Sequence, residues 1–132
     1  MMMKNNCRKN IEKSRTLTFK EISMAKHDFG IMQTAPHKGK RYDKYEPEKY
    51  NCISIDDDYI ENIQEQLCVF DSYAHTIDCQ IKGLAYCGIT LIPPVSINLF
   101  IKVIENIPEL SGLKNLLITA KCSQKYVIHF GI

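Results

Sequence analysis

Apolar and polar residues alternate in two stretches near the end of the chain, and this pattern predicts two β-strands. In Leu84–Ile92, the odd-numbered positions are all apolar and the even-numbered positions are mixed. Because successive side chains of a strand point to opposite faces, such a strand has one apolar face and one mixed face, which is typical of a sheet covered by helices on one side. The closing stretch has the same two rows, Tyr126, Ile128, Phe130 and Ile132 on one side and Lys125, Val127 and His129 on the other.

Apolar residues spaced three to four positions apart predict three helices in the same half of the chain. The first covers about 59–67, and the other two begin near Ser96 and Ser111, which are expected N-caps. Pro93 and Pro94 end the preceding strand and Pro108 separates the last two helices, because proline lacks the N–H that a ladder or a helix interior requires. The expected core positions are Ile60, Ile63 and Leu67, then Ile97, Phe100, Ile101 and Ile104, then Leu113, Leu116, Leu117 and Ala120.

Shorter signals complete the outline of the fold. Residues 52–55 form a predicted strand, and 69–78 form another that pairs with 83–92 as a hairpin. Thr18 and Glu21 fit a capping box and predict a helix over Phe19–Asp28, although the same stretch also fits a strand. The core order is therefore β-α-β-β-α-α-β. We expect an α+β, two-layer domain with a small, mostly antiparallel sheet and helices on one face, preceded by a basic N-terminal arm.

The two parts of the chain differ in charge, although the net charge is only +2. Residues 1–50 carry 12 Lys/Arg and 6 Asp/Glu, whereas residues 51–132 carry 5 and 9. Residues 33–50 lack apolar periodicity and are rich in Lys, Tyr, Pro and Gly, which predicts a linker. We therefore expect a basic arm over 1–50, with one short helix and this linker, and a compact α+β domain over 51–132. Such an arm either meets an anionic partner or packs on the acidic part.

Cysteine usage and hydropathy indicate a cytoplasmic protein. The six cysteines have no CxxC spacing, and several fall in apolar runs, which favours reduced, buried thiols over a disulfide framework. No apolar segment follows the basic residues near the start, and no apolar run approaches the ~20 residues of a membrane span. We therefore expect no membrane partner. The chain also has no GxxxxGK[ST], GxGxxG, GxSxG or HExxH motif, so no cofactor is predicted and the balance leans away from an enzyme.

The mixed face of the predicted sheet is the first candidate site. If the strands are in phase, His75, Tyr86, Thr90 and His129 share a surface, and Gly88 lets a ligand or a backbone approach closely. Such a group fits anion binding or acid–base chemistry. The alternative is an ordinary sheet face that water or a partner covers.

Metal and cysteine chemistry are weaker candidates. His75 and His129 lie among other ligand types, but no local spacing enforces a zinc site, so none is predicted. Asp56, Asp57 and Asp58 favour a helix N-cap over a cation site. Cys79 near His75 is the only cysteine that fits a nucleophile.

The Lys/Tyr-rich segment is the other candidate site, for nucleic acid. Basic side chains pair with phosphates and aromatic rings stack on unpaired bases. The alternative is a linker whose tyrosines pack across the acidic domain. The residues that carry the nucleic-acid hypothesis are Lys38, Lys40, Arg41, Tyr42, Lys44 and Tyr45, with His37, Lys49 and Tyr50 beside them.

The stretches HTIDCQIKGLAYCGITLIPP and KYVIHFGI resemble a small family of uncharacterised bacterial proteins over about residues 50–132. The resemblance implies a bacterial, cytosolic origin and assigns no activity or site residue. The leading hypothesis is a non-enzymatic protein-interaction domain, and one version of it self-associates through the open sheet face. The alternatives are a nucleic-acid-binding accessory protein that uses the basic segment, and a small enzyme or metal protein centred on His75 and His129.

Overall fold

The computed structural model describes residues 25–132 of the chain. The six strands are β1 (Lys26–Ile31), β2 (Ile53–Asp56), β3 (Asp71–Ala74), β4 (Gln80–Lys82), β5 (Ile89–Ile92) and β6 (Val127–Phe130). The three α-helices are α1 (Asp57–Glu61), α2 (Pro94–Ile104) and α3 (Ser111–Cys122). Short 3-10 turns occupy Pro47–Tyr50, Gln66–Val69 and Pro108–Leu110.

All six strands form one antiparallel sheet in the order β2-β1-β6-β5-β3-β4. The two central strands are β6 and β5, in which every residue is buried. The expected pairing of 69–78 with 83–92 is present as β3 beside β5, with Tyr73 opposite Leu91. The two strands are not a simple hairpin, because β4 lies between them in the chain and pairs with the other side of β3 at the edge of the sheet. The predicted strand Leu84–Ile92 is too long, because only Ile89–Ile92 pairs with neighbouring strands.

The helices pack on one face of the sheet, so the predicted α+β layer arrangement is confirmed. Both long helices contribute the apolar stripe that their spacing predicts, and the other expected core positions are buried too except Leu116, which is half-buried. The turn at Pro108 separates α2 from α3 as expected. The fully buried helical residues include Ile97, Phe100, Ile104, Leu113 and Leu117.

The reverse face of the sheet is also covered, so the prediction of an open face is wrong. Residues 33–52, which we call the covering loop, cross this face and pack tyrosines on it. Tyr45 and Tyr50 contact the ring of Phe130, at 5.4 and 6.1 Å between centroids. Gly30 of β1 makes room for the loop, because a Cβ there would lie 2.7 Å from Cβ of Tyr50 and Sγ of Cys52. The segment therefore lies where the alternative interpretation placed it, packed across the domain through its tyrosines.

The predicted boundary at residue 50 needs correction. Strand β1 lies between β2 and β6 inside the sheet, so residues 26–50 belong to the same layered domain as the rest. The last residues of the predicted helix Phe19–Asp28 lie in this strand, where His27 and Phe29 point to the helix side and Asp28 to the loop side. The remainder of that helix and of the N-terminal arm lies outside the described residues.

Three local predictions also fail, wholly or in part. Asp56 is the N-cap residue of α1, but its side chain makes no cap hydrogen bond and pairs with Lys26 instead. Asp57 and Asp58 lie in the first turn, and Asp57 contacts His27. Helix α1 ends at Glu61, short of the predicted residue 67, and turns carry the chain onward. None of the cysteines between residues 25 and 132 is buried: Cys52 is half-buried, and Cys68, Cys79 and Cys122 are exposed, all four with free thiols. Cys87 is exposed and takes part in a disulfide bond.

Candidate binding groove and buried polar chain

A chain of hydrogen-bonded polar side chains crosses the core beneath the helices. The Nδ1 atom of His27 lies 2.9 Å from Nε2 of His129, and Nε2 of His27 lies 2.9 Å from Oδ1 of Asp57. At the other end, Nδ1 of His129 lies 2.9 Å from Oγ1 of Thr90. The Tyr86 hydroxyl donates to the same oxygen of Asp57. Both histidines and Thr90 are fully buried, so this group is part of the core.

One assignment of donors and acceptors satisfies every hydrogen bond of the chain. Thr90 accepts the backbone N–H of Ala85 at 2.8 Å, so its own hydroxyl is free to donate to Nδ1 of His129. The Nε2–H of His129 then donates to Nδ1 of His27, and the Nε2–H of His27 donates to the Asp57 carboxylate. Burial lowers the pKa of His129 well below its ordinary value of 6.5, and repulsion from His27 lowers it further. The imidazole of His129 is therefore neutral in the folded state.

The structure brings together three of the four residues predicted on the mixed sheet face. Tyr86, Thr90 and His129 converge, but in the core on the helix side and not on an exposed surface. The expectation of a shared surface fails because the mixed rows of β5 and β6 face the helices, while their apolar rows, such as Ile128 and Phe130, lie under the covering loop. The sequence prediction missed His27 and Asp57, since both belonged to segments assigned to other roles.

His75 lies apart from this group, on the loop side of the sheet. Its backbone has a φ of 63° and ends strand β3. Its Nδ1 atom lies 2.7 Å from Oδ1 of Asp43 and 3.2 Å from the carbonyl oxygen of Tyr42, and the Tyr42 N–H donates to its carbonyl at 2.8 Å. His75 thus anchors the covering loop, and a site centred on both His75 and His129 is not assembled. The space that Gly88 leaves is filled by the His75 ring.

The covering loop forms a two-lobed groove at the surface. Two adjoining cavities of about 340 Å³ each share four lining residues, Lys40, Tyr42, Lys49 and Tyr50. The ammonium group of Lys40 lies 5.1 Å from the centre of the Tyr42 ring, and that of Lys49 lies 5.6 Å from the centre of the Tyr50 ring. The groove therefore presents two cation–aromatic pairs side by side.

Charged residues extend one lobe of the groove. Arg41 donates to both oxygens of Asp43, at 2.9 and 3.3 Å, and this guanidinium lowers the pKa of the Asp43 carboxyl. Lys49 lies 3.9 Å from Glu46, and Lys44 completes this lobe. Burial raises the pKa of the Tyr50 hydroxyl, so this ring is neutral at physiological pH. The lobe holds more cationic than anionic side chains.

The residues of the nucleic-acid hypothesis divide between groove and scaffold. Lys40, Arg41, Tyr42 and Lys44 line the groove. Tyr45 lines neither cavity, and its hydroxyl donates to Asp28 at 2.7 Å, which with burial raises its pKa to about 12. Lys38 is exposed and also lines neither cavity. The second lobe was missed because Met32, Gln33, Thr34 and Ala35 carry no charge or aromatic signal.

One group of carboxylates in the described part of the chain has the spacing of a cation site. Oxygen atoms of Asp57, Asp58 and Glu61 lie within 4.8 Å of one another. Asp57 is already engaged by His27 and Tyr86, so this arrangement also serves the buried chain. Cys79 is exposed and its backbone carbonyl accepts the N–H of Ala74, but nothing places its thiol against the His75 ring, whose two nitrogens contact Asp43 and Ile89.

Helices α2 and α3, the longest between residues 25 and 132, are too short to cross a membrane. Comparison of the chain with protein-family models, with characterised proteins and with solved structures finds no match.

Proposed function

We propose that this chain is a non-enzymatic binding module and that its partner is single-stranded nucleic acid, held in the groove of the covering loop. The observation that carries the proposal is the pair of adjoining cavities that share two lysines and two tyrosines. Lysines neutralise phosphates, and tyrosine rings stack on unpaired bases whatever their sequence. A partner with both kinds of group in alternation matches this surface.

The charge distribution supports the same partner. Residues 33–50 carry 5 Lys/Arg and 3 Asp/Glu. The other described residues carry 6 and 10. A polyanion is therefore repelled by most of the domain and attracted to the loop, which favours one orientation of approach.

The test is an anisotropy titration of a labelled single strand of about 12 nucleotides at two salt concentrations. We expect affinity to fall with salt, and Lys40→Ala with Lys49→Ala to weaken binding and to lower the salt slope by about 1.4. The matched control is Lys102→Ala with Lys114→Ala, which removes the same charge from α2 and α3, on the other side of the sheet. Binding that ignores salt, or that both double variants reduce equally, contradicts the proposal.

A protein partner, including a second copy of the chain, is the second candidate. The observation that favours it is a set of exposed apolar side chains on the helix layer, with Val95 85%, Leu99 42% and Ile118 39% exposed. Light scattering after size exclusion tests the self-associating version. We expect a dimer that Leu99→Glu converts to a monomer, and a monomeric wild type removes this version.

A bacterial, cytoplasmic setting is part of the proposal. The resemblance of the carboxyl-terminal stretches to bacterial proteins supports the origin. Four free thiols among the described cysteines support a reducing compartment, although the disulfide at Cys87 does not. The test is to count reduced thiols in protein that is isolated from cells after acid quenching, since a reducing compartment keeps these thiols free.

A further inference from the structure

The two lobes of the groove differ in chemistry. Besides the four shared residues, one lobe is lined by Arg41, Asp43, Lys44 and Glu46, so six of its nine lining residues are charged. The other is lined by neutral side chains and one histidine, and its only charged residues are the two shared lysines. The additional residues of this neutral lobe are Met32, Gln33, Thr34, Ala35 and His37.

We propose that the groove binds one nucleoside monophosphate unit, with the phosphate in the charged lobe and the base in the neutral lobe. This inference rests on the proposed function and names the part of the nucleic acid that the site recognises. The junction between the lobes is formed by Tyr42 and Tyr50 with their lysines, which is where a sugar and the face of a base meet aromatic rings.

The charged lobe suits a phosphate because its cations are only partly neutralised. Four cations face two carboxylates there, and those carboxylates are engaged by Arg41 and Lys49. Asp43 is held a second time by His75, whose Nδ1 atom lies 2.7 Å from its Oδ1 atom. Lys40 and Lys44 therefore face an incoming phosphate as point charges, each with three donors.

The neutral lobe suits a base because it combines an apolar floor with polar edges. Met32 is 3% exposed and forms the floor, while Gln33 and Thr34 stand at the rim. The side-chain oxygen of Gln33 accepts from the ammonium group of Lys125, and the amide NH₂ of Gln33 supplies a donor at this rim. Pockets of this size class, about 300 Å³ and above, hold small ligands in other proteins.

The test compares four probes by isothermal titration calorimetry on the full chain: inorganic phosphate, a nucleoside, its 5′-monophosphate and phenyl phosphate. We expect the monophosphate to bind at least about tenfold more tightly than phosphate or the nucleoside, which corresponds to about 1.4 kcal/mol. Ala35→Leu should fill the neutral lobe and remove this advantage while leaving the affinity for phosphate unchanged. Asn115→Leu on the exposed side of α3 is the matched control, and Gln33→Ala replaces Ala35→Leu if that variant does not fold.

The outcomes separate this inference from the proposed function. If the monophosphate binds no better than phosphate, or phenyl phosphate binds equally well, base recognition is overturned, while salt-dependent binding of the labelled strand still supports the module. If the monophosphate binds as expected but the strand does not, the inference stands with free nucleotides as the source, and the proposal of nucleic acid falls. If a tetranucleotide binds as tightly as the monophosphate, the groove recognises one nucleotide within a strand.

Discussion

Acid should destabilise this domain through the buried histidine chain. His129 is fully buried and neutral in the folded state, and its pKa is lowered by burial and by His27. The unfolded chain binds a proton at this position near the ordinary value of 6.5, so below that pH the unfolded state holds more protons than the folded state. Stability therefore falls as the pH drops from about 6.5, until the pH reaches the lowered pKa of the folded state.

The loss of unfolding free energy in acid can be calculated for one buried neutral histidine. A full proton taken up on unfolding costs about 1.4 kcal/mol for each pH unit. Because the unfolded chain is only partly protonated near pH 6.5, the loss of stability between pH 7 and pH 5 is about 2 kcal/mol. That is a large part of a typical domain stability of about 5–15 kcal/mol. The carboxylates with lowered pKa, Asp43 and Asp71, lose their contribution only below about pH 4, so they lie outside this window.

The assay is urea unfolding followed by circular dichroism at several pH values between 7.5 and 5. His129→Gln retains an acceptor and a donor at the buried position but cannot be protonated. The slope of its unfolding free energy against pH should therefore be smaller than that of the wild type, by the equivalent of nearly one proton. His37→Gln removes a histidine from the exposed loop and should leave the wild-type slope unchanged. A wild type whose stability is flat across this window, or an unchanged slope in His129→Gln, refutes the reasoning.

Three further substitutions test the contacts that hold the site. Thr90→Val should cost about 2 kcal/mol in urea unfolding, because the Ala85 N–H and Nδ1 of His129 lose their partner, whereas Thr90→Ser should cost much less. Gly30→Ala should displace Tyr50, since the added Cβ meets Tyr50 at 2.7 Å. The loss in free energy of binding to the labelled strand should be larger than the loss in free energy of unfolding. Tyr45→Phe should loosen the loop over the buried Asp28 and speed amide exchange in residues 40–50, and unchanged exchange rates contradict this role of the hydroxyl.

The two long helices were predictable because their signals are local. Three-to-four spacing places Ile97, Phe100 and Ile104 on one stripe whatever the rest of the chain does, and these residues are buried. Turn and break positions such as Pro108 follow from proline chemistry alone. Strand β1 was missed because KHDFGI places a histidine and an aspartate where an apolar row is expected, and only the tertiary structure supplies the partners of both side chains.

The prediction of which sheet face meets the helices was wrong for a physical reason. Alternation identifies two rows in a strand but not which row meets the helices, and here both rows are buried. The apolar row of β6 lies under tyrosines of the covering loop, while the mixed row puts His129 among helices. A polar group in the core is tolerated because a neighbouring strand supplies each missing hydrogen bond. That pairing spans 102 residues, between His27 and His129, and leaves no mark in local pattern.

The groove lies on irregular backbone, yet its walls are fixed from three places in the sheet. Asp28 of β1 holds the Tyr45 hydroxyl, Gly30 of the same strand admits Tyr50, and His75 at the end of β3 holds both Tyr42 and Asp43. A loop held at these points loses little further freedom when a ligand binds, so the cost of ordering is already met on folding. Asp28 is 5% exposed, and a carboxylate so buried is stable only while its hydroxyl partners remain in place. Folding of the loop and formation of the groove are therefore one event, and the lysines that meet the ligand are positioned by residues that never touch it.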